Sequence, residues 1–417
     1  MPVDESAVAA ANAQAIERVL ASEPWLVGVR PAGEVVPGLA ANQVLHAAPA
    51  APWSELAPLV RSGVVGAALF EGLASSREEA ERKAAAGEIQ VGAAQDHAAM
   101  AGGIGSIPAS LPVMIIEDRV TGNRAFHFIM EGFGRTLVLG MYDDEIAERL
   151  EWFRDELAPA LDAAIGELGG IDCRALMAEA LRRGDELHNR NAAATSMLAE
   201  KLALGFVRAG APAATQDRAF ALMRENTQFF VPIPLAAAKL ALDAADGIEG
   251  SSLLTGCGAN GTDCGLRIAG LEGAWFRAPA DLPEGVFLEG FGPGDVGPPC
   301  GDSLLVECYG LGATVLPAAP AFWPVVGADE GLARGLTDAA RGISLGEHAD
   351  YRVPVLGDRG APIGVDVRKV VETGVRPTID IVLVHPEPGR GVIGFGLIQP
   401  PIACFEAAVE AFEDRYG

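Results

Sequence analysis

The densest group of chemistry-bearing residues is the run Gly184-Asp185-Glu186-Leu187-His188-Asn189-Arg190-Asn191, which interrupts an otherwise helical pattern. Five polar side chains occupy the six positions from Glu186 to Asn191. Successive residues of a helix turn by about 100°, so these five cannot all share one solvated face. Read as a helix, the run sets Glu186 beside Arg190 at i, i+4 and His188 near Asn191 at i, i+3. Together with Asn189 it offers a titratable base, hydrogen-bond donors and a fixed positive charge. Packing between helices, with buried polar groups satisfying one another, explains the same density.

Four further segments carry candidate binding groups. In Gly256-Cys257-Gly258-Ala259-Asn260-Gly261-Thr262-Asp263-Cys264-Gly265-Leu266-Arg267, glycine density would let backbone N–H groups around Asn260 and Gly261 converge on an oxyanion, with Asp263 and Arg267 beside them. An Asn-Gly hairpin turn is the competing explanation. The run is neither a P-loop nor a dinucleotide fingerprint, because no GK[ST] or βαβ context follows. Arg30 and Glu34, in the loop after the apolar run WLVGV, resemble an anion-contacting strand end, but an inert surface pair is the commoner explanation of such a loop. Gly301-Asp302-Ser303, with Glu307 nearby, suggests a ligand-orienting turn, and His97 closes the polar cluster Gln95-Asp96-His97. Arg368 completes the set. Arg190, Arg267 and Arg368 are expected to meet in one cleft as anion clamps.

No metal site and no cofactor are expected. His46, His127, His348 and His385 lack partners at ligand spacing, and the six cysteines form no CxxC pair. The cysteines read as free thiols of a reducing compartment, and the acidic start lacks a signal-peptide pattern, so a cytoplasmic location is expected. With 31 Lys+Arg against 56 Asp+Glu, the net charge of −25 excludes nucleic acid and anionic membranes as general partners. A small anionic substrate remains compatible wherever arginines reverse the field locally. Cys308 to Ala328 carries no charge and is long enough to span a bilayer, but Pro317, Pro320 and Pro324 make it a buried irregular segment instead.

The elements that must position these groups fall into three textures. Residues 1–140 mix helices with apolar runs such as WLVGVRPAG, GVVGAALFEGLA and LPVMIIED, and read as an N-terminal α/β domain. Residues 141–245 read as a helical domain or insertion. Residues 246–417 are rich in Gly and Pro, with strand-like GVFLEGF, DIVLVH and VIGFGLI and a closing helix, and read as a C-terminal α+β domain. The fold class is therefore α+β, or mixed α/β, with two mixed parts and a helical part between them.

Several long stretches, in order, carry a resemblance: WLVGVRPAGEVVPG, the region from Gly87-Glu88-Ile89 through His97 to Gly102-Gly103-Ile104-Gly105, GNRAF with EGFGR, GDELHNRNAAATS, NGTDCGLR, GDSLLVE, GVDVRKVVETG and GFGLIQPP. They resemble the large subunit of bacterial oxamate carbamoyltransferase, the AllG family. That resemblance implies anaerobic allantoin (purine) catabolism, with a carbamoyl group moving between oxamate and phosphate to give carbamoyl phosphate. It also implies a hetero-oligomer with an FdrA-like subunit and a third small subunit. Gln95-Asp96 stands where the family pattern has consecutive histidines, Ala259 where it has arginine, and Glu225 to Phe230 replaces an asparagine-aspartate-histidine version. A guanidinium lost from a dicarbonyl anion site costs about 2 kcal/mol, so the resemblance carries the reaction class further than it carries oxamate. The expected chemistry is direct carbamoyl or acyl transfer on a small carboxylate or amide. His188 or Glu186 would be the proton shuttle, Arg190 a clamp, and Asn189 and Asn191 binding groups. A non-catalytic scaffold for an FdrA-like partner, or an accessory of an acyl-CoA ligase, is the alternative.

Overall fold

The computed structural model describes residues 3–417. It is a mixed α+β fold, as the sequence texture implies. The apolar run around Val29 forms β1 (Pro24–Pro31), and PVMIIED forms β5 (Pro112–Asp118), its antiparallel neighbour. With β4 (Ala99–Met100), β6 (Arg124–Phe128) and β7 (Ile171–Asp172) they make a five-stranded sheet in the order β4-β6-β5-β1-β7. The last strand comes from within the stretch read as helical. The β1–β5 register slips at Gly28, where a β-carbon would lie 2.6 Å from the Asp162 carboxylate that accepts the Val29 N–H.

A second sheet, β10-β9-β8-β12, is built on the hairpin of β8 (Leu254–Asn260) and β9 (Asp263–Ile268), flanked by β10 (Phe276–Pro279) and β12 (Cys300–Gly301). Every residue of β8 is buried. A third sheet pairs β11 (Glu284–Phe287), β16 (Val392–Ile398) and β15 (Ile379–Val384). Two further two-stranded sheets join β2 (Gln43–His46) to β3 (Gln90–Ala93) and β13 (Ser344–Val353) to β14 (Arg359–Val365).

Helix Pro232–Asp243 holds the first two sheets together. Its residues Pro232 to Leu242 are all buried, against β5 and β6 on one side and β8 on the other. A helix apolar all round is the signature of an interior position, and Pro232 and Pro234 open it where no backbone donor is lost. GVVGAALFEGLA becomes the end of helix Pro58–Phe70. The uncharged stretch after Cys308 folds into short 3₁₀ turns at Gly312–Ala318 and Trp323–Val326, and no described helix is long and apolar enough to cross a membrane.

The run 184–191 is not helical, contrary to the sequence reading. Helix Cys173–Arg182 stops before it and helix Ala192–Ala209 starts after it. Gly184 and Leu187 both have positive φ, at 96° and 71°. The acids supply the physical reason, since they bind backbone donors in place of facing neighbours along a helix. Glu186 accepts the N–H groups of His188, Asn189 and Arg190, and Asp185 accepts that of Ala194 at 2.8 Å.

Candidate functional site

The loop 184–191 sets His188 and Asn189 against residues far away in the sequence. The His188 Nδ1 atom lies 2.8 Å from Glu307 Oε1, on the short helix Leu305–Cys308, and 3.4 Å from Asp380 Oδ1, on β15. Asn189 donates through Nδ2 to the Asp380 carbonyl at 3.1 Å and to its carboxylate. Asp380 and Ala313 N–H groups both donate to Glu307 Oε1, each at 3.2 Å. The cluster is closely built. At Gly312, where φ is +59°, a β-carbon would stand 2.2 Å from Glu307 Oε1 and 3.1 Å from His188 Cβ.

Burial governs the charges here. It pushes the Glu307 and Glu186 carboxyls well above their ordinary range, Glu186 being raised further by Asp380, and it pushes Asp380 up to about 7 against the opposing pull of His188. The same burial lowers His188, which Asp380 partly offsets. Glu307 Oε2 and Asp380 Oδ2 are buried and have no hydrogen-bond partner among the described residues.

His188 and Asn189 also line a cavity of about 50 Å³. Gly102, Gly103, Gln228 and Ser303 supply the rest of its polar edge, while Phe133, Leu235 and Ile381 belong to an apolar remainder. That space suits a small planar molecule of a few non-hydrogen atoms and is well below that of sites for drug-sized ligands. Among the described residues no lysine or arginine lines it. Gln228 is held by donating Nε2 to the Asn189 carbonyl at 2.7 Å. His188 Nε2, Asn189 Oδ1, Gln228 Oε1 and Ser303 Oγ make no hydrogen bond within the described residues.

The three arginines expected to share a cleft do not meet. Arg190 turns back on its own loop, donating through Nε to the Gly184 carbonyl at 2.9 Å beside Asp185 at 3.6 Å. Arg267 is buried over the Trp275 ring and lies 3.4–3.6 Å from Asp96, Asp243 and Asp246. Arg368 forks onto Glu5 at the far end of the sequence. An acidic chain neutralises its own guanidiniums first, so local acid partners win over a shared anion site.

The Asn260–Gly261 segment is the hairpin turn between β8 and β9, not an oxyanion loop. Asn260 Oδ1 accepts the Thr262 and Asp263 N–H groups at 3.1 and 2.9 Å, its Nδ2 donates to the Pro49 carbonyl, and Asp263 pairs with Arg277 at 2.6 Å. Gly261, at φ +83°, packs against Ala57 and Cys300. Arg30 pairs with Asp162, Glu34 is exposed, and His97 bonds the Pro37 carbonyl at 2.7 Å, so none of the three reaches the cavity. Asn191 is buried and donates to the His188 carbonyl at 2.9 Å.

Asp302 stands just behind the cavity. It accepts the Ala48 and Ala101 N–H groups, each at 2.8 Å, and Gln95 Nε2 at 2.6 Å, with burial raising it to about 7. It thereby fixes the chain that leads into Gly102-Gly103. Of the expected residues, then, His188, Asn189 and Ser303 line one hollow, with Glu186, Asn191 and Asp302 shaping its walls. Asp380 and the role of Gln228 escaped the sequence reading, whereas the Gly102-Gly103 loop was among the stretches it singled out. A lone aspartate inside the apolar strand IDIVLV was the available signal for the first.

Comparisons with known proteins agree on one family. A family model described as "Oxamate carbamoyltransferase subunit AllG" matches residues 89–303. The chain is similar to Oxamate carbamoyltransferase subunit AllG of Escherichia coli K12, with 35% identity over 417 residues and 99% of each chain covered. It is also similar to the E. coli K12 protein YahG, described as uncharacterized, at 38% identity over 98% of this chain and 87% of that one. A solved structure titled as a conserved protein of unknown function from Enterococcus faecalis V583 superposes with a TM-score of 0.96 at 34% identity, over 98% of both chains.

Proposed function

The chain belongs to the family of oxamate carbamoyltransferase subunit AllG, and from that premise we propose that it holds the carbamoyl end of a small amide substrate beside His188 within a multi-subunit transferase. The observation that carries this reading is His188 itself. Its Nδ1 is held by Glu307 at 2.8 Å while its Nε2 edge is unengaged at the wall of a small cavity. A carbamoyl group needs acceptors for its NH₂ and a donor for its carbonyl oxygen. The free oxygens of Asn189 and Gln228 suit the first need, and the Ser303 hydroxyl suits the second.

In the transfer, a phosphate oxygen bonds to the carbamoyl carbon as the bond from that carbon to the oxamate nitrogen breaks. The departing nitrogen requires one proton, which phosphate can surrender through His188. Among the described residues the cavity offers no cationic side chain and is underlain by Glu186, Glu307 and Asp380, which favours groups from beyond these side chains as the ones that neutralise phosphate and carboxylate. An FdrA-like subunit, with a third small subunit, is the proposed source. An accessory role for an acyl-CoA ligase gains nothing from this cavity, which has neither the room nor the charge for a CoA diphosphate.

The test is His188→Ala in the reconstituted complex. The expected result is a fall in kcat of about 100-fold or more, read well below an unfolding midpoint that itself drops because Glu307 and Asp380 lose their basic partner. Arg368→Ala serves as the control and should leave turnover alone. A His188→Ala complex that keeps its rate would place the chemistry on the partner and leave this chain as its scaffold.

A further inference from the structure

We propose that His188, Glu307 and Asp380 form a binding site for one divalent first-row metal ion. One ligand atom from each of the three lies within 4.8 Å of the other two, and all three residues are buried. The measured separations, 2.8 Å from His188 Nδ1 to Glu307 Oε1 and 3.4 Å to Asp380 Oδ1, bracket the roughly 3.0–3.4 Å that separates ligands sharing an ion at about 2.1 Å. The cluster is thus already gathered to the size of a coordination shell.

Two features of the cluster favour a cation. Glu307 is 2% exposed and Asp380 fully buried, yet Glu307 Oε2 and Asp380 Oδ2 have no hydrogen-bond partner among the described residues. Buried carboxylate oxygens are rarely left so, because each forfeits its hydration without replacement. Charge is the second feature. Among the described residues His188 is the one basic group within salt-bridge distance of the buried Glu307 and Asp380 carboxylates. Like charges this close, in a low dielectric, need either protons or a cation between them.

The donor set narrows the ion. One imidazole with two carboxylates fits Zn²⁺ or Mn²⁺ better than an ion that takes oxygen alone. Gly312 leaves the room, since any β-carbon there would press on both Glu307 and His188. The site adjoins the cavity through His188, so a bound ion would supply the positive charge that the lining lacks, with the ring then donating its Nε2–H to a bound oxygen in place of relaying a proton. That consequence rests on the carbamoyl-transfer reading, whereas ion binding itself does not.

The experiment uses the full chain, stripped with a chelator and titrated separately with Mn²⁺ and Zn²⁺ by calorimetry, with Mn²⁺ also followed by electron paramagnetic resonance. One ion per chain is expected for the wild type, with a rise in the unfolding midpoint. Glu307→Gln and Asp380→Asn keep the packing and should each weaken binding by about tenfold or more while abolishing that rise. Absence of stoichiometric binding, or wild-type affinity in both variants, overturns the proposal. Ion binding combined with a fully active His188→Ala complex would leave the metal site standing and remove the transfer reading. Loss of turnover without ion binding would do the reverse.

Discussion

Gly312 and His127 show how single residues hold the cavity. Gly312 has φ +59° and no space for a side chain against Glu307. Gly312→Ala should therefore destabilise the chain by about 2–3 kcal/mol, read by chemical denaturation, because it adds a left-handed non-glycine residue to a steric overlap. An unchanged midpoint would show that Glu307 can move aside. His127 is fully buried, with Nδ1 2.7 Å from the Phe128 carbonyl and Nε2 accepting the Gly102 N–H at 3.3 Å. That pattern fits the neutral ring, and burial lowers its pKa to about 4. An unfolded chain takes up the proton below about 6.5, the folded one only near 4, so this stability is complete above 6.5 and drains away as the pH falls. Glu131 and Asp302, both raised to about 7, work in the opposite direction between about 4 and 7, which masks the effect in the wild type. The comparison that isolates it is His127→Gln, whose stability difference between pH 7 and pH 5 should shift by about 2 kcal/mol relative to wild type. Parallel pH profiles would mean that His127 titrates normally.

The loop 184–191 shows where sequence reading stopped at the level of elements. Polar spacing of i+3 and i+4 is what a helix surface needs, and the flanking segments are helices, so the run reads as helix too. What decides otherwise is competition for backbone donors. Helix Ala192–Ala209 has no side-chain cap from Asn191, its preceding residue, and Asp185 provides one by accepting the Ala194 N–H. Asp185→Ala should lower stability by about 1–2 kcal/mol, the range for a lost N-cap, and hydrogen exchange should quicken at the first turn of that helix. Exchange that stays slow there would assign the cap elsewhere. Local patterns succeeded where the partner is also local. WLVGVRP, PVMIIED, DIVLV and VIGFGLI all became strands, and the closing helix runs from Ile402 to Tyr416. The Asn-Gly turn, read as an even choice between hairpin and oxyanion loop, is a hairpin because Asn260 satisfies two backbone donors two and three residues onward.

At the scale of the molecule, the site was legible only in pieces. His188, Asn189 and Ser303 stood out as polar residues in unusual company, but the partners of His188 lie 119 and 192 residues away, at Glu307 and Asp380. No spacing rule spans such distances, which is also why no metal motif could be read. The expected arginine cleft failed for a related reason: sequence shows that three guanidiniums exist, not which of 56 acids each will find. The same long-range closure bears on how the chain divides. One continuous core runs from Val8 to Phe412, and the wholly buried stretch Pro232 to Leu242 packs against sheets drawn from both sides of residue 245. Separating 1–245 from 246–417 would expose Ile233, Leu235, Leu240 and Leu242 on one piece and the all-buried β8 on the other. Neither loss is offset, because apolar area of that extent contributes several kcal/mol and a domain has only about 5–15 to lose. Each fragment expressed alone should therefore unfold without a cooperative transition and bind a hydrophobic dye, whereas the two co-expressed should regain a single sharp transition. Sharp unfolding of isolated 246–417 would instead establish that the three textures of the sequence are separable domains, with His188 brought to Glu307 and Asp380 across an interface.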